Sequence, residues 1–314
     1  MSEQLSLTHF RKQRNAGANG KDPESWGAMA EMGWYGVLVP EEFGGSEFGY
    51  VGMGQVLEAQ GRTLASSPLL QTAMVGVSAL VLGGTEAQKS TVLPKIAEGK
   101  ITTALAVDEH AHHAPANVAM TAEAAGGGYT LTGKKVFVPN GHFADLFIIA
   151  ARTSGSAGDT DGITLFMVPR ETDGLTISEL STLDYHGAAN LELNGVVVPA
   201  ADVLGEVGGG FPLLDAVLDR GRIGAAAELL GLSVAAFEMT HDYLQTRKQF
   251  GQLIGSFQSL QHRAAIMFSE IEQTRSCVAG ALAALDEGRD DVAQMASLAT
   301  VSYTHLTLPT RCLG

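Results

Sequence analysis

The stretch Arg247-Lys248-Gln249-Phe250-Gly251-Gln252-Leu253-Ile254-Gly255-Ser256-Phe257-Gln258 decides the reading of the chain. It lies between two long segments of helical apolar spacing, so it reads as the corner of a helical hairpin. Tyr243, Leu244 and Arg247 fall on roughly one face of the first helix. Phe250-Gly251 then breaks the run, since glycine is the usual residue just past a helix end. The corner carries two cations beside an aromatic ring. Arginine's planar fork fits a phosphate bidentately, which suits an anion. A plainer reading is a solvated helix C-terminus whose Lys and Arg complement the helix dipole.

At 314 residues the chain is long enough for about two domains with cores of their own. An apolar share of 45% is that of a globular protein. The formal charge of −14 argues against nucleic-acid binding, which favours basic surfaces. No apolar run reads as long enough to span a bilayer, so no membrane partner is expected. The polar start, Ser2-Glu3-Gln4, has no apolar signal core, and a cytoplasmic location is the expectation. Two cysteines, Cys277 and Cys312, cannot make a disulfide framework or a Cys-rich metal site. Cys277 lies in an apolar helix and reads as a buried thiol.

Residues 1–100 read as a helical domain. Pro23-Glu24-Ser25 opens one helix, Gly52 to Gly61 forms a second, and the apolar run Ser67 to Leu82 forms a buried third. Thr85-Glu86-Ala87-Gln88 starts a further helix with a capping pattern. Pro40-Glu41-Glu42-Phe43-Gly44-Gly45 is a turn. Residues 101–205 change to a period of two. Tyr129 to Val138, with Gly133 inside it, reads as a hairpin, and Leu191 to Pro199 as a further strand pair. Leu146–Ala150 and Ile163–Val168 are short buried strands, and such spacing suggests a small barrel or sandwich. Residues 206–300 return to helix as an incomplete bundle, with helices through His241, from Gln258 to Glu287, and from Asp291. Residues 301–314 lose the helical period and read as an atypical tail of non-native origin.

The Arg247-Lys248-x-Phe250-Gly251 corner with Gln258, and the Pro40-Glu41-x-x-Gly44-Gly45 turn, resemble the acyl-CoA dehydrogenase family. The resemblance runs in order to about residue 300. It implies an α+β fold with an N-terminal helical domain, a middle β-barrel or sandwich and a C-terminal helical bundle. It also implies flavin-dependent oxidation of an acyl-CoA thioester to the 2,3-enoyl-CoA, within fatty acid metabolism. FAD is the implied cofactor. Arg247, Phe250 and Gln258 would meet its pyrophosphate and adenosine part, held mainly by a neighbouring subunit. Phe137 stands where the family carries a stacking Trp, followed by the turn Asn140-Gly141. Arg222 matches a family Arg and reads as an ion pair or a CoA-channel contact. An acyl-CoA, an electron-transfer acceptor and a second subunit, identical or homologous, are the implied partners.

Some family positions are altered. The motif expected at Val107 to Ala114 reads Val-Asp-Glu-His-Ala-His-His-Ala, with Val107 in place of a flavin-bonding hydroxyl. Pro139 removes a hydroxyl and a backbone N–H. His110, His112 and His113 crowd one segment with no partner cluster, so they read as a polar loop, and no metal is expected. His186 reads as a surface residue. The catalytic base is not identified. One family position for it falls at Gly221, which has no proton acceptor, and the other is expected beyond the end of the chain. Asp219 reads as a surface acid of the helix. The altered positions leave two rivals open: a non-catalytic partner subunit of a mixed assembly, and a ligand-free helical scaffold.

Overall fold

The computed structural model describes residues 6–17 and 19–307. Two compact units are present. One comprises Arg11–Phe48 and Ser66–Gly221, and the other is built from the described residues up to Phe10, Gly49–Ala65 and the segment from Arg222 onward.

The first unit is organised on a sheet. Ahead of it come the part of helix α1 (Leu7–Asn15) from Arg11 on and helix α2 (Pro23–Glu31), the latter capped by the Asp22 side chain. The buried run continues as a π-helical turn at Leu69–Gly76 and α4 (Val77–Gly83), with α3 (Gly49–Thr63) belonging to the other unit. Helix α5 (Glu86–Ala97) starts with the capping box read at Thr85 and Gln88, and it carries Pro94 inside the helix. The strands are β1 (Thr103–Ala106), β2 (Thr121–Ala125), β3 (Gly128–Pro139), β4 (Leu146–Arg152), β5 (Ile163–Pro169), β6 (Leu175–Leu180), β7 (Ala188–Pro199) and β8 (Val203–Leu204). They form one sheet in the order β6-β7-β3-β2-β4-β5-β8, with β1 beside β4. Both β1 and β2 lie parallel to β4. The chain from Val107 to Met120 thus leaves β4's edge and returns to it.

Two expected turns are not turns. Tyr129 to Val138 is one strand, not a hairpin, and Leu191 to Pro199 lies in one strand, not a pair. Gly133 and Gly195 face one register shift between β3 and β7, where Leu131 meets Val196 and Gly133 meets Leu193. A glycine inside a strand marks a bulge as readily as a turn. At Gly133, φ is +150° and a Cβ would stand 2.9 Å from Met120. The actual β2–β3 turn uses Gly126 and Gly127, both at positive φ.

The second unit is helical. It contains α3, the C-terminal part of α6 (Phe211–Thr246), α7 (Gln258–Asp286) and α8 (Val292–Thr307). Helix α8 continues through Thr307, so the break expected at Val301 falls inside an element. Residues 308–314, with Cys312, lie outside the described residues. Helix α6 is also long and apolar enough to cross a membrane by length and composition, which corrects the reading that no run is. Here part of it packs closely on α3. A Cβ at Gly61 would lie 1.8 Å from the Glu228 carbonyl oxygen, and one at Gly231 would lie 1.9 Å from that of Glu58. Backbone meets backbone at both points. The Asp286 carboxylate accepts from the N–H groups of Tyr50 (2.6 Å) and Val51 (2.9 Å), satisfying the exposed start of α3. Cys277 is half-buried, not fully enclosed as expected.

The glycine crossing generates a test. Gly231→Ala must push α3 and α6 apart, and overpacking of this kind costs about 1–3 kcal/mol. Urea unfolding of the variant is expected to show that loss with an unchanged denaturant slope.

Candidate functional site

Strand β3 ends in an irregular stretch. Its register against β7 shifts between Lys135 and Val138, so Val136 and Phe137 occupy a bulge. Phe137 has φ +49°, in the left-handed region where an aromatic residue is strained. Its backbone N–H donates to Asn190 Oδ1 on β7 at 3.0 Å, and its side chain remains 60% exposed. An exposed aromatic ring on a strained backbone is a feature that packing alone does not explain.

Beneath this bulge lies an ion pair. Lys135 Nζ reaches Glu109 Oε1 at 2.7 Å and the Val107 carbonyl oxygen at 2.8 Å. The Lys135 side chain is fully buried and that of Glu109 nearly so. Glu109 also accepts from the N–H groups of Ala119 and Met120. Burial pushes the Lys135 pKa down, and the Glu109 carboxylate draws it back up. The pair therefore ties both ends of the 107–120 segment to β3. Val136 N–H adds a bond to the Asp108 carbonyl oxygen at 2.8 Å.

Alternation then sorts the side chains. Val107 is buried in the apolar core, Asp108 faces away from it, and Glu109 faces in again. Val107 is thus not an open replacement for a ligand-bonding hydroxyl, and the outward residue is Asp108. Its carboxylate binds His113 Nδ1 at 2.8 Å and the Ala114 N–H at 3.0 Å. His110 and His112 are exposed beside it. Asn140 and Gly141 form a buried turn, with Asn140 at φ +61° and its carbonyl accepting from Phe143 and Ala144. The next residue, His142, is buried, with Nε2 2.7 Å from the Asn19 carbonyl oxygen, and burial pushes its pKa down.

In the helical unit, β9 (Lys248–Gln249) and β10 (Gln252–Leu253) pair around Phe250-Gly251. Both turn residues have positive φ, which makes the corner a tight hairpin. Phe250 is 91% exposed, with its ring edge-on to Phe257 at 6.1 Å. Arg247 is exposed, and among the described residues its guanidinium has no partner. Gln258 is the exposed first residue of α7. Arg247, Phe250 and Gln258 are therefore together at one corner.

This architecture has known counterparts. Residues 7–100 match the acyl-CoA dehydrogenase N-terminal domain, 104–196 the middle domain and 208–307 the C-terminal domain. The chain is 32% identical to the 2-methylacyl-CoA dehydrogenase of Solanum tuberosum over 94% of its own length and 74% of that protein's. It is 33% identical to the isovaleryl-CoA dehydrogenase of Arabidopsis thaliana over 86% of its length and 68% of the relative's. The chain belongs to the acyl-CoA dehydrogenase family. Its members are flavin-dependent oxidoreductases that act on acyl-CoA thioesters. The butyryl-CoA dehydrogenase of Megasphaera elsdenii superposes with a TM-score of 0.87 at 30% identity, over 93% of this chain and 78% of that one. A chain from the structure titled for the electron transferring flavoprotein of Acidaminococcus fermentans superposes at 0.90 with 28% identity, over 99% and 82%.

The family cofactor, FAD, can be tested against the residues present. A planar ring system with hydrogen-bonding edges needs an exposed apolar plate beside polar groups. Phe137 supplies the plate, and Asp108, whose backbone is bonded to the bulge at Val136, carries polar groups together with His113, so the residues fit. For an acyl-CoA dehydrogenase two surface readings need correction. Asp219 is buried, not a surface acid. His186 is half-buried, its carbonyl oxygen packed against Gly20. Arg222 is half-buried and engaged by partners, and Gly221 lies next to Val75 with room for little more than a methyl group. Lys135 and Asn190 are the residues sequence reading missed. A lysine at an inward strand position was the available signal, because a buried cation requires an acid nearby.

Breaking a buried pair by removing one partner costs about 3–5 kcal/mol, since the other charge is stranded. Lys135→Met is expected to lose that much stability in denaturant unfolding. Lys135→Met with Glu109→Gln is expected to recover more than half, because the neutral amide still accepts the Ala119 and Met120 N–H groups.

Proposed function

We propose that this chain is an acyl-CoA dehydrogenase acting on a short, branched acyl-CoA, with FAD as the acceptor of the substrate hydride. The observation that carries the reading is the strained and exposed Phe137 at the β3 bulge, held by Asn190 above a buried Lys135–Glu109 pair. Strain of this kind persists only where the surroundings over-determine it, and it clusters at ligand sites. Phe137 would stack on the flavin ring. Arg247 and Phe250 would meet the phosphate and adenosine parts of a dinucleotide, the arginine by its fork and the phenylalanine by its face. FAD supplies the electron sink when bound. The branched substrate is supported by the names of the relatives, 2-methylacyl-CoA and isovaleryl-CoA dehydrogenases. Passage of electrons to an electron-transferring flavoprotein is supported by the structural likeness to a chain in a structure of that title. An oligomer is supported by the exposed apolar residues Met239, Tyr243, Ile266 and Phe268 of the helical unit.

A second reading rests on Gly221 and Pro139. A chain lacking a carboxylate at the first and a hydrogen-bond donor at the second fits a flavin-holding partner subunit of a mixed assembly.

The test is anaerobic reduction. The purified full-length chain is expected to be yellow and to bleach with isovaleryl-CoA or a 2-methylacyl-CoA faster than with butyryl-CoA or glutaryl-CoA. Flavin that stays yellow with every acyl-CoA would favour the partner-subunit reading. Protein that takes up no flavin would overturn both.

A further inference from the structure

The outward face of the sheet unit at β3 carries more than an aromatic plate. Lys135 and Val138 are buried, and Val136 and Phe137 bulge outward between them. The Val136 N–H bond to the Asp108 carbonyl oxygen lays residue 108 alongside that bulge. With Val107 and Glu109 turned inward, Asp108 shares the outward face with Phe137. The Asp108 side chain is 27% exposed and that of His113 is 49% exposed. An ionised carboxylate only accepts hydrogen bonds, so the 2.8 Å contact makes His113 Nδ1 the donor. The second carboxylate oxygen is occupied by the Ala114 N–H. In the neutral imidazole Nε2 is then an acceptor. Among the described residues, Nε2 has no hydrogen-bond partner.

We propose that Asp108 and His113 form the polar half of the flavin-ring site, in which Asp108 fixes the imidazole and His113 Nε2 accepts the imide N–H of the flavin pyrimidine. The proposal rests on the flavin reading above and adds the residues that recognise the ring edge. His113 touches the cofactor, and Asp108 is a positioning residue acting through it. Phe137 supplies the face and His113 the edge, so one ring is read by stacking and by hydrogen bonding together.

The test compares FAD with N3-methyl-FAD, in which the imide N–H is replaced by a methyl group. The apoprotein is titrated with each by flavin fluorescence. The unaltered chain is expected to bind FAD about tenfold more tightly, the worth of one hydrogen bond of ordinary strength. His113→Ala is expected to bind both flavins alike. His113→Gln, whose amide keeps an acceptor, is expected to restore part of the discrimination. Asp108→Ala should lose most of it, and the double variant should be no worse than His113→Ala, because the two residues act as a unit. His110→Ala, altering an exposed neighbour outside the pair, should leave both affinities unchanged. A merely structural role in closing the 108–114 loop would lower the melting temperature and leave the ratio of the two affinities intact. If His113→Ala still discriminates as the unaltered chain does, the assignment is wrong while the flavin reading stands. If the unaltered chain binds neither flavin, the flavin reading fails first and takes this one with it.

Discussion

The buried ion pair between Lys135 and Glu109 is the contact on which the sheet unit's site depends. Two charges without solvent are costly, and the cost is tolerable only when every remaining polar atom is met. Here Lys135 is shared between a carboxylate and the Val107 carbonyl, and the carboxylate also takes the Ala119 and Met120 N–H groups. A segment of loop is thereby fastened to a strand from the inside. Its outer residues, Asp108 and His113, consequently lie on the outward side, bonded to each other, with Asp108 tied to the bulge through the Val136 N–H. The strain at Phe137 is held by the same frame, through the Asn190 bond on one side and the Val136–Asp108 bond on the other.

The helical unit solves a different problem. Its helices approach so closely at Gly61 and Gly231 that side chains are excluded from the crossing. That proximity sets the course of α6, and α6 ends at the corner where Arg247 and Phe250 project. The corner itself holds an aromatic residue at positive φ followed by a glycine at positive φ. The hairpin turn therefore presents the Phe250 ring to solvent instead of burying it, a costly choice for a residue without a ligand or partner.

Much of this was legible in the residues. Helix period, the capping box at Thr85 and Gln88, and the Phe250-Gly251 corner were all readable because local spacing and local chemistry determine them. The bulge at Gly133 and Gly195 was not, since a glycine between alternating residues signals a turn and a bulge equally until the partner strand is known. Asp108 was passed over in favour of Val107 for the same kind of reason. Which of two adjacent residues faces a ligand depends on the inward anchor, and that anchor, Lys135, is 26 residues from its acid. Long-range pairing carries no local mark. Asp219 likewise reads as a surface acid from its spacing, although the fold buries it.

The central claim is that the flavin ring lies on the outward face of the β3 bulge. Hydrogen–deuterium exchange of the full-length chain, with and without FAD, tests it most directly. The account predicts slowed exchange on adding FAD in residues 108–114 and 134–141, with β6 and the far part of β7 unchanged. FAD that binds and leaves 108–114 and 134–141 exchanging at their free rates would contradict it.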